Sequence, residues 1–282
     1  RTGTQRSPGR NQWQLDRHQG SLIMGFLQIA GLWFEVPPEL QIGIEPQLKP
    51  ECTSPHCYQL IIDETLPLAK DLAHYQVHHT ASTTTIQTRN STCQISGDQI
   101  HVNTRLQEYT FWGTLRLILG YLSTRAAHFI LHASAGLDVY NRLFMFSGPS
   151  GIGKSTALEE LGLLKKVDDN ALIDSQNGTL HINPYERGGI NFQPEQAQAI
   201  PIHSLFFITS QCKNDVRPIT GYSEKMSRLL NNSINLSPES WYVDKLLDRF
   251  VEFLDNDINY YELGYHKNSL KDLFRHEIHH QP

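Results

Sequence analysis

The segment Gly148-Pro-Ser-Gly-Ile-Gly-Lys-Ser155 constrains this chain more than any other. It satisfies the Gly-x-x-x-x-Gly-Lys-[Ser/Thr] phosphate-loop pattern at every fixed position. Such a loop works only between a strand and a helix. Here Leu143-Phe-Met-Phe-Ser147 reads as a buried strand, and Thr156-Ala-Leu-Glu-Glu-Leu161 reads as a helix with Leu158 and Leu161 three apart. Glycines let the backbone turn so that successive N–H groups face one concavity. The helix N-terminus adds partial positive charge to it. Within that frame Gly148, Ser150, Gly151, Ile152, Gly153, Lys154, Ser155 and Thr156 form the expected nucleotide-binding set. Lys154 would reach the β- and γ-phosphates and the Ser155 hydroxyl would ligate Mg²⁺.

The rest of the chain must supply a domain around that loop. Its 282 residues suit one large domain or two modest ones, and 39% hydrophobic residues give material for a core. A net charge of −5 argues against a nucleic-acid or anionic-membrane footprint. No window reaches the ~18 consecutive apolar residues of a spanning helix. The arginine-preceded stretch Ser21–Phe34 lacks a small-x-small cleavage pattern and reads as a strand rather than a signal sequence. Cys52, Cys57, Cys93 and Cys212 lack paired metal spacing, so free thiols and a cytoplasmic setting are expected.

Organisation along the chain points to an α/β protein. Residues 1–23 are polar and aperiodic, and are expected to be disordered or tag-derived. Residues 24–110 read as a β-rich module, with strands near Gly25–Phe34, Tyr58–Ile62, Tyr75–His79 and Thr83–Gln87. A Gly97-Asp98 hairpin then joins Cys93–Ile95 to Gln99–Val102. From Phe111 the period changes: Phe111, Leu115, Ile118, Leu119 and Leu122 recur at three and four, which predicts a helix. Residues 111–282 are therefore a second unit. Strands are expected at Phe129–Ala133, Thr179–Ile182 and Ile202–Thr209, helices at Ser223–Asn231, Pro238–Leu254 and Ser269–His276, and a last edge strand at Asn259–Tyr265.

Three pieces in order, His132-Ala-Ser134, the phosphate loop and Asp168-Asp169, resemble the catalytic domain of HPr kinase/phosphorylase. More closely, they resemble the HPr-kinase-like proteins found beside peptide natural-product (lasso peptide type) genes. The resemblance covers about Ala126 to Tyr265. It implies a P-loop domain with a mixed sheet, carried beside the β-rich module, and an ATP·Mg²⁺-dependent serine kinase. The acceptor would be a serine of a peptide or small protein, for example a ribosomally made precursor peptide. By the same resemblance, one of Asp168 and Asp169 orients the attacking hydroxyl as base and the other holds Mg²⁺. Sequence alone leaves the order open: Asp168→Asn is the natural test of the base, and Asp169 groups with Ser155 and Glu186 as metal-side oxygens. His132 matches the family histidine near the γ-phosphate. A tendency to form a homo-oligomer is also implied.

The chain departs from the family in places. The span from Lys154 to Asp168 is shorter than in true HPr kinases, and the Glu-x-Arg-Gly-x-Gly signature survives only loosely as Glu186-Arg187-Gly188-Gly189-Ile190. Arg187 is the candidate cation for the transferring phosphoryl group, with Arg217 a weaker one. Lys213–Pro218 and Asn183–Pro201 are the expected acceptor-binding loops. Two other functional classes stay open: a nucleotide-binding switch or scaffold without transfer, and a small-molecule kinase, with a relation to ATP-dependent phosphoenolpyruvate carboxykinase ranked below both. His78-His79 alternates across a strand and His276, His279 and His280 crowd a terminus, so none of these histidines reads as a built metal site.

Overall fold

The computed structural model describes residues 25–29, 32–38, 49–68, 75–89, 91–104, 108–181, 199–210, 214–234 and 239–277. Residues 1–23, expected to be disordered or tag-derived, lie outside them, as do Cys212, Lys213, His279, His280, Glu186 and Arg187. No helix among the described residues is long and apolar enough to cross a membrane.

The fold is mixed α/β, built on two sheets. The first has seven strands in the order β1-β2-β3-β7-β6-β5-β4. These are β1 (Gly25–Ile29), β2 (Leu32–Val36), β3 (Tyr58–Ile62), β4 (Gln76–His79), β5 (Thr84–Gln87), β6 (Ser91–Ser96) and β7 (Gln99–Thr104). The single strand expected at Gly25–Phe34 is in fact two, paired antiparallel with Ile29 opposite Leu32. Both strands are mostly apolar and follow each other closely in sequence, so period alone does not reveal the reversal. The β6–β7 hairpin is as expected, with Ser96 opposite Gln99 and Gly97 at φ 57, a region glycine enters without steric cost.

Helix α1 (Glu108–Ser123) follows and then a short 3-10 turn, Thr124–Ala126. Leu115, Ile118, Leu119 and Leu122 are buried as their spacing predicts, but Leu117 and Tyr121 are buried too. The reason is position: α1 packs against β6 of the first sheet and β8 of the second, so two of its faces are covered. One apolar cluster accordingly runs from Leu27 and Ile100 through Leu122 to Phe129 and Phe253.

The second sheet has nine strands, β11-β9-β10-β14-β13-β12-β8, with β16 and β15 added beside β14. They are β8 (His128–Leu131), β9 (Ala133–Leu137), β10 (Leu143–Ser147), β11 (Leu164–Val167), β12 (Ala171–Asp174), β13 (Thr179–His181), β14 (Ala199–Ile208), β15 (Asp215–Pro218) and β16 (Asn259–Gly264). The long β14 branches the sheet. Its first residues pair antiparallel with β13, and Ser204–Ile208 pair in parallel with β16, while β10 runs parallel along the other side. Helices α2 (Lys154–Leu161), α3 (Tyr222–Asn232), α4 (Ser240–Leu254) and α5 (Leu270–Glu277) complete the described elements.

Two expectations are corrected. Phe129–Ala133 is not one strand: β8 and β9 lie far apart in the sheet order, with His132 between them at the crossing. Asn259–Tyr265 is not an edge strand, since β15 pairs outside β16. The edge instead carries Pro218, whose missing N–H is tolerated where no further strand pairs among the described residues. That pairing also removes Asp215–Pro218 from the expected acceptor loop.

Candidate active site

Strand β10 is buried at all five positions and is held by β9 on one side and β14 on the other. It delivers the phosphate loop from a rigid base. Beneath it Phe146 stacks on Phe206 at 5.2 Å, and Phe206 stacks on Tyr261 at 4.9 Å. The loop then enters α2, whose N-cap Gly153 lies at φ 111 with no side-chain cap. The first backbone N–H groups of α2 thus have no capping side chain, which leaves that end suited to an anion. Gly153 is required twice over, because a Cβ there would sit 2.5 Å from the Tyr265 hydroxyl. That hydroxyl donates to the Gly153 carbonyl at 2.7 Å and ties the loop to the chain just after β16.

Lys154 is only 7% exposed. Its ammonium donates to the carbonyls of Gly148 and Pro149, both at 3.0 Å, and folds back over the loop. Burial pulls its pKa below the ordinary lysine value, against the opposing fields of Asp169 and Asp168.

The two aspartates take different partners. Asp168 Oδ1 accepts from Ser155 Oγ at 2.6 Å and from Ser134 Oγ at 2.8 Å, and Lys165 reaches Oδ2 at 3.0 Å. Burial acts to raise this carboxyl, but the hydrogen bonds from Ser155, Ser134 and Lys165 outweigh it and hold it below the ordinary value. Asp169 Oδ1 instead meets His132 Nε2. A carboxylate only accepts, so Nε2 carries the hydrogen. Lys154 Nζ, 3.2 Å from the same nitrogen, is then a close neighbour and not a donor to it. The Asp169 backbone has φ 97, a left-handed conformation that Asp enters more readily than most residues and that is concentrated at functional sites.

Strand pairing explains why these groups meet. Val167 lies opposite Ala135 in the β11–β9 ladder, which brings Asp168 level with Ser134. The Asp169 N–H donates to the Ala133 carbonyl at 3.1 Å. His132 is anchored on both sides: its N–H donates to the Asn232 carbonyl at 2.8 Å, and its own carbonyl accepts from Ser147 Oγ at 3.0 Å.

The structure therefore brings together Lys154, Ser155, Asp168, Asp169 and His132. Arg217 is not among them: it is engaged with Glu224 and, at 2.7 Å, with Glu262, and is held by carboxylates rather than presented to phosphate. Ser134, Lys165 and Tyr265 were missed as site residues. Ser134 carried a signal, being part of the His-Ala-Ser element. Tyr265 carried none beyond an aromatic run that otherwise packs in the sheet, where Tyr260 and Tyr261 are buried.

The oxygen donors Ser155 Oγ and Asp168 suit a hard cation such as Mg²⁺. With the uncapped helix end and Lys154, they fit a Mg²⁺-bound nucleoside triphosphate. Replacing Tyr265 with Phe removes one hydrogen bond to the loop, worth about 0.5–1.5 kcal/mol net. The nucleotide affinity proposed below, measured by titration calorimetry, is then expected to fall by roughly 2- to 12-fold.

A scan against protein-family models finds no match, and a search of curated proteins finds no significant relative.

Proposed function

We propose that the protein is an ATP·Mg²⁺-dependent kinase that transfers the γ-phosphoryl group to a hydroxyl, with a serine of a peptide or small protein as acceptor. The observation that carries this is the division of labour in the Asp168-Asp169 pair. Asp168 is bonded to the loop serine, while Asp169 is held by His132 beside the buried Lys154. A site that only binds nucleotide has no use for a second carboxylate so placed. The ordered resemblance to HPr-kinase-like proteins, in His132-Ala-Ser134, the loop and the Asp pair, supports the same reading.

In this proposal Ser155 and Asp168 would hold Mg²⁺, which would offset the negative charge of the phosphates. The metal role first given to Asp169 passes to Asp168, because Asp168 is the carboxylate whose Oδ1 accepts from the Ser155 hydroxyl. Lys154 leaves the loop carbonyls for the β- and γ-phosphates. The N–H groups at the start of α2 bind phosphate oxygens. Asp169 accepts the proton of the attacking serine hydroxyl, and His132 keeps its carboxylate in one orientation. Arg187 and Glu186 keep their proposed roles towards the transferring group and the metal.

The test is transfer from γ-labelled ATP with Mg²⁺ to serine-bearing peptides encoded beside this protein. Label on a peptide serine, absent with the Ser→Ala peptide, is the expected result. Tight nucleotide binding with release of phosphate alone would overturn transfer in favour of a switch.

A further inference from the structure

A second cluster lies on the other branch of the sheet. On β8-β12-β13, His128 pairs directly with Asp174 across β8–β12, and His181 pairs with Leu172 across β12–β13. Leu172 and Asp174 are two apart on β12, so period two puts all three polar side chains on one face. Their ligand atoms all lie within 4.8 Å of one another. The two imidazoles meet Nε2 to Nε2 at 3.1 Å.

The hydrogen positions follow from the partners. His128 Nδ1 faces the Ala126 carbonyl, which only accepts, so Nδ1 carries the hydrogen and Nε2 offers a lone pair. His181 Nε2 is then the donor in the His–His contact. A backbone carbonyl on Nδ1 that frees Nε2 is the usual outer-sphere arrangement of a metal-binding histidine. His128 is 8% exposed, so its ring is fixed by packing. Asp174 is oriented in turn by the N–H groups of Gln176 and Asn177 and by the Asn177 side chain at 2.8 Å.

We infer that His128, Asp174 and His181 form a divalent-metal site of zinc type, separate from the nucleotide site. Tetrahedral zinc with bonds of ~2.0–2.1 Å spaces its ligand atoms about 3.3 Å apart, close to the existing Nε2 separation. Asp174, whose carboxylate oxygen lies within 4.8 Å of both ring nitrogens, is the third ligand and leaves the fourth position to water. Nitrogen donors favour zinc over Mg²⁺, so the ion that loads Ser155 and Asp168 does not compete here. Binding needs no net proton release: His181 moves its hydrogen from Nε2 to Nδ1 through solvent, and Asp174 is already ionised. Burial pulls both imidazoles below the ordinary histidine value, His181 to about 4 with the neighbouring His128 adding to the effect.

The position gives the ion a task. β8 runs directly into His132, and β12 begins just after Asp169, so the metal would lock the register of the two strands whose other ends carry that pair. Asp174 lies three residues beyond Ala171, about 10 Å along the strand.

The experiment is metal loading of the full chain, independent of any kinase assay. Chelator-stripped protein is dialysed against Zn²⁺ and analysed by mass spectrometry, with Co²⁺ absorption as a geometric probe. One ion per chain and a tetrahedral Co²⁺ spectrum are expected. His181→Ala and Asp174→Asn should each weaken binding by more than about tenfold. A variant lacking His276, His279 and His280, and Asp168→Asn, should bind normally. Circular dichroism confirms that each variant is folded. Sub-stoichiometric metal in the wild type, unchanged affinity in folded His181→Ala and Asp174→Asn, or loss confined to the tail variant would overturn the site.

Discussion

Asp169→Asn is expected to lower the rate of phosphoryl transfer by about 10²–10⁴-fold while leaving ATP·Mg²⁺ affinity within a few-fold. That range is what a positioned general base contributes. Asn is the informative replacement because it tolerates the backbone φ 97 at this position as Asp does and keeps an oxygen for His132. Loss of rate then reports proton acceptance rather than a refolded loop. Asp168→Asn should behave differently. It removes the charge that Ser155, Ser134 and Lys165 surround, so the Mg²⁺ concentration needed for half-maximal binding should rise sharply, with metal-free nucleotide binding barely altered. Quench-flow rates and calorimetric titrations at varied Mg²⁺ separate the two. If Asp168→Asn abolishes transfer at unchanged Mg²⁺ affinity and Asp169→Asn does not, the base belongs to Asp168 and the roles exchange.

The largest loss of stability is expected from Phe206→Ala, at about 3–5 kcal/mol. Phe206 is 0% exposed in the half of β14 that β10 and β16 both flank. It stacks on Phe146 and Tyr261 and contacts Phe274 of α5 at 5.1 Å. Truncation leaves a cavity walled by two rings fixed in the sheet, Phe146 and Tyr261, and by Phe274 of α5, so little collapse can offset it. Against a typical total of ~5–15 kcal/mol, the variant should unfold at markedly lower denaturant, and bound ATP·Mg²⁺ should recover part of the loss by mass action. Tyr140→Ala, in a position 71% exposed at the β9–β10 turn, is the control and should change stability by less than about 0.5 kcal/mol. Comparable midpoints for the two variants would mean that the aromatic stack is not the support of the loop.

Some of this was readable from residues alone because the information is local. The strand–loop–helix around Lys154 follows from glycine placement and from a change of hydrophobic period, and the Gly97 hairpin from turn chemistry. The period of α1 is legible in the same way. These features depend on the conformational preferences of residues a few positions apart, which any sequence displays. The candidate residues Lys154, Ser155, Asp168, Asp169 and His132 were also named from the sequence, the last three through resemblance.

Which of them touch was not readable, since it depends on pairing between distant strands. The apolar run through Leu131 and Ala133 looks continuous, yet the chain crosses from one part of the sheet to another at His132. Only the antiparallel register of β11 on β9 sets Ser134 beside Asp168, and that contact, with those of Ser155 to Asp168 and of His132 to Asp169, distinguishes the two aspartates. Tyr265 bonds to a carbonyl 112 positions away, and His128 meets His181 across the width of a third strand. Local sequence thus fixed the chemistry that is present, and tertiary structure decided which groups share a hydrogen bond, because strand order and register place side chains that no short-range preference can bring together.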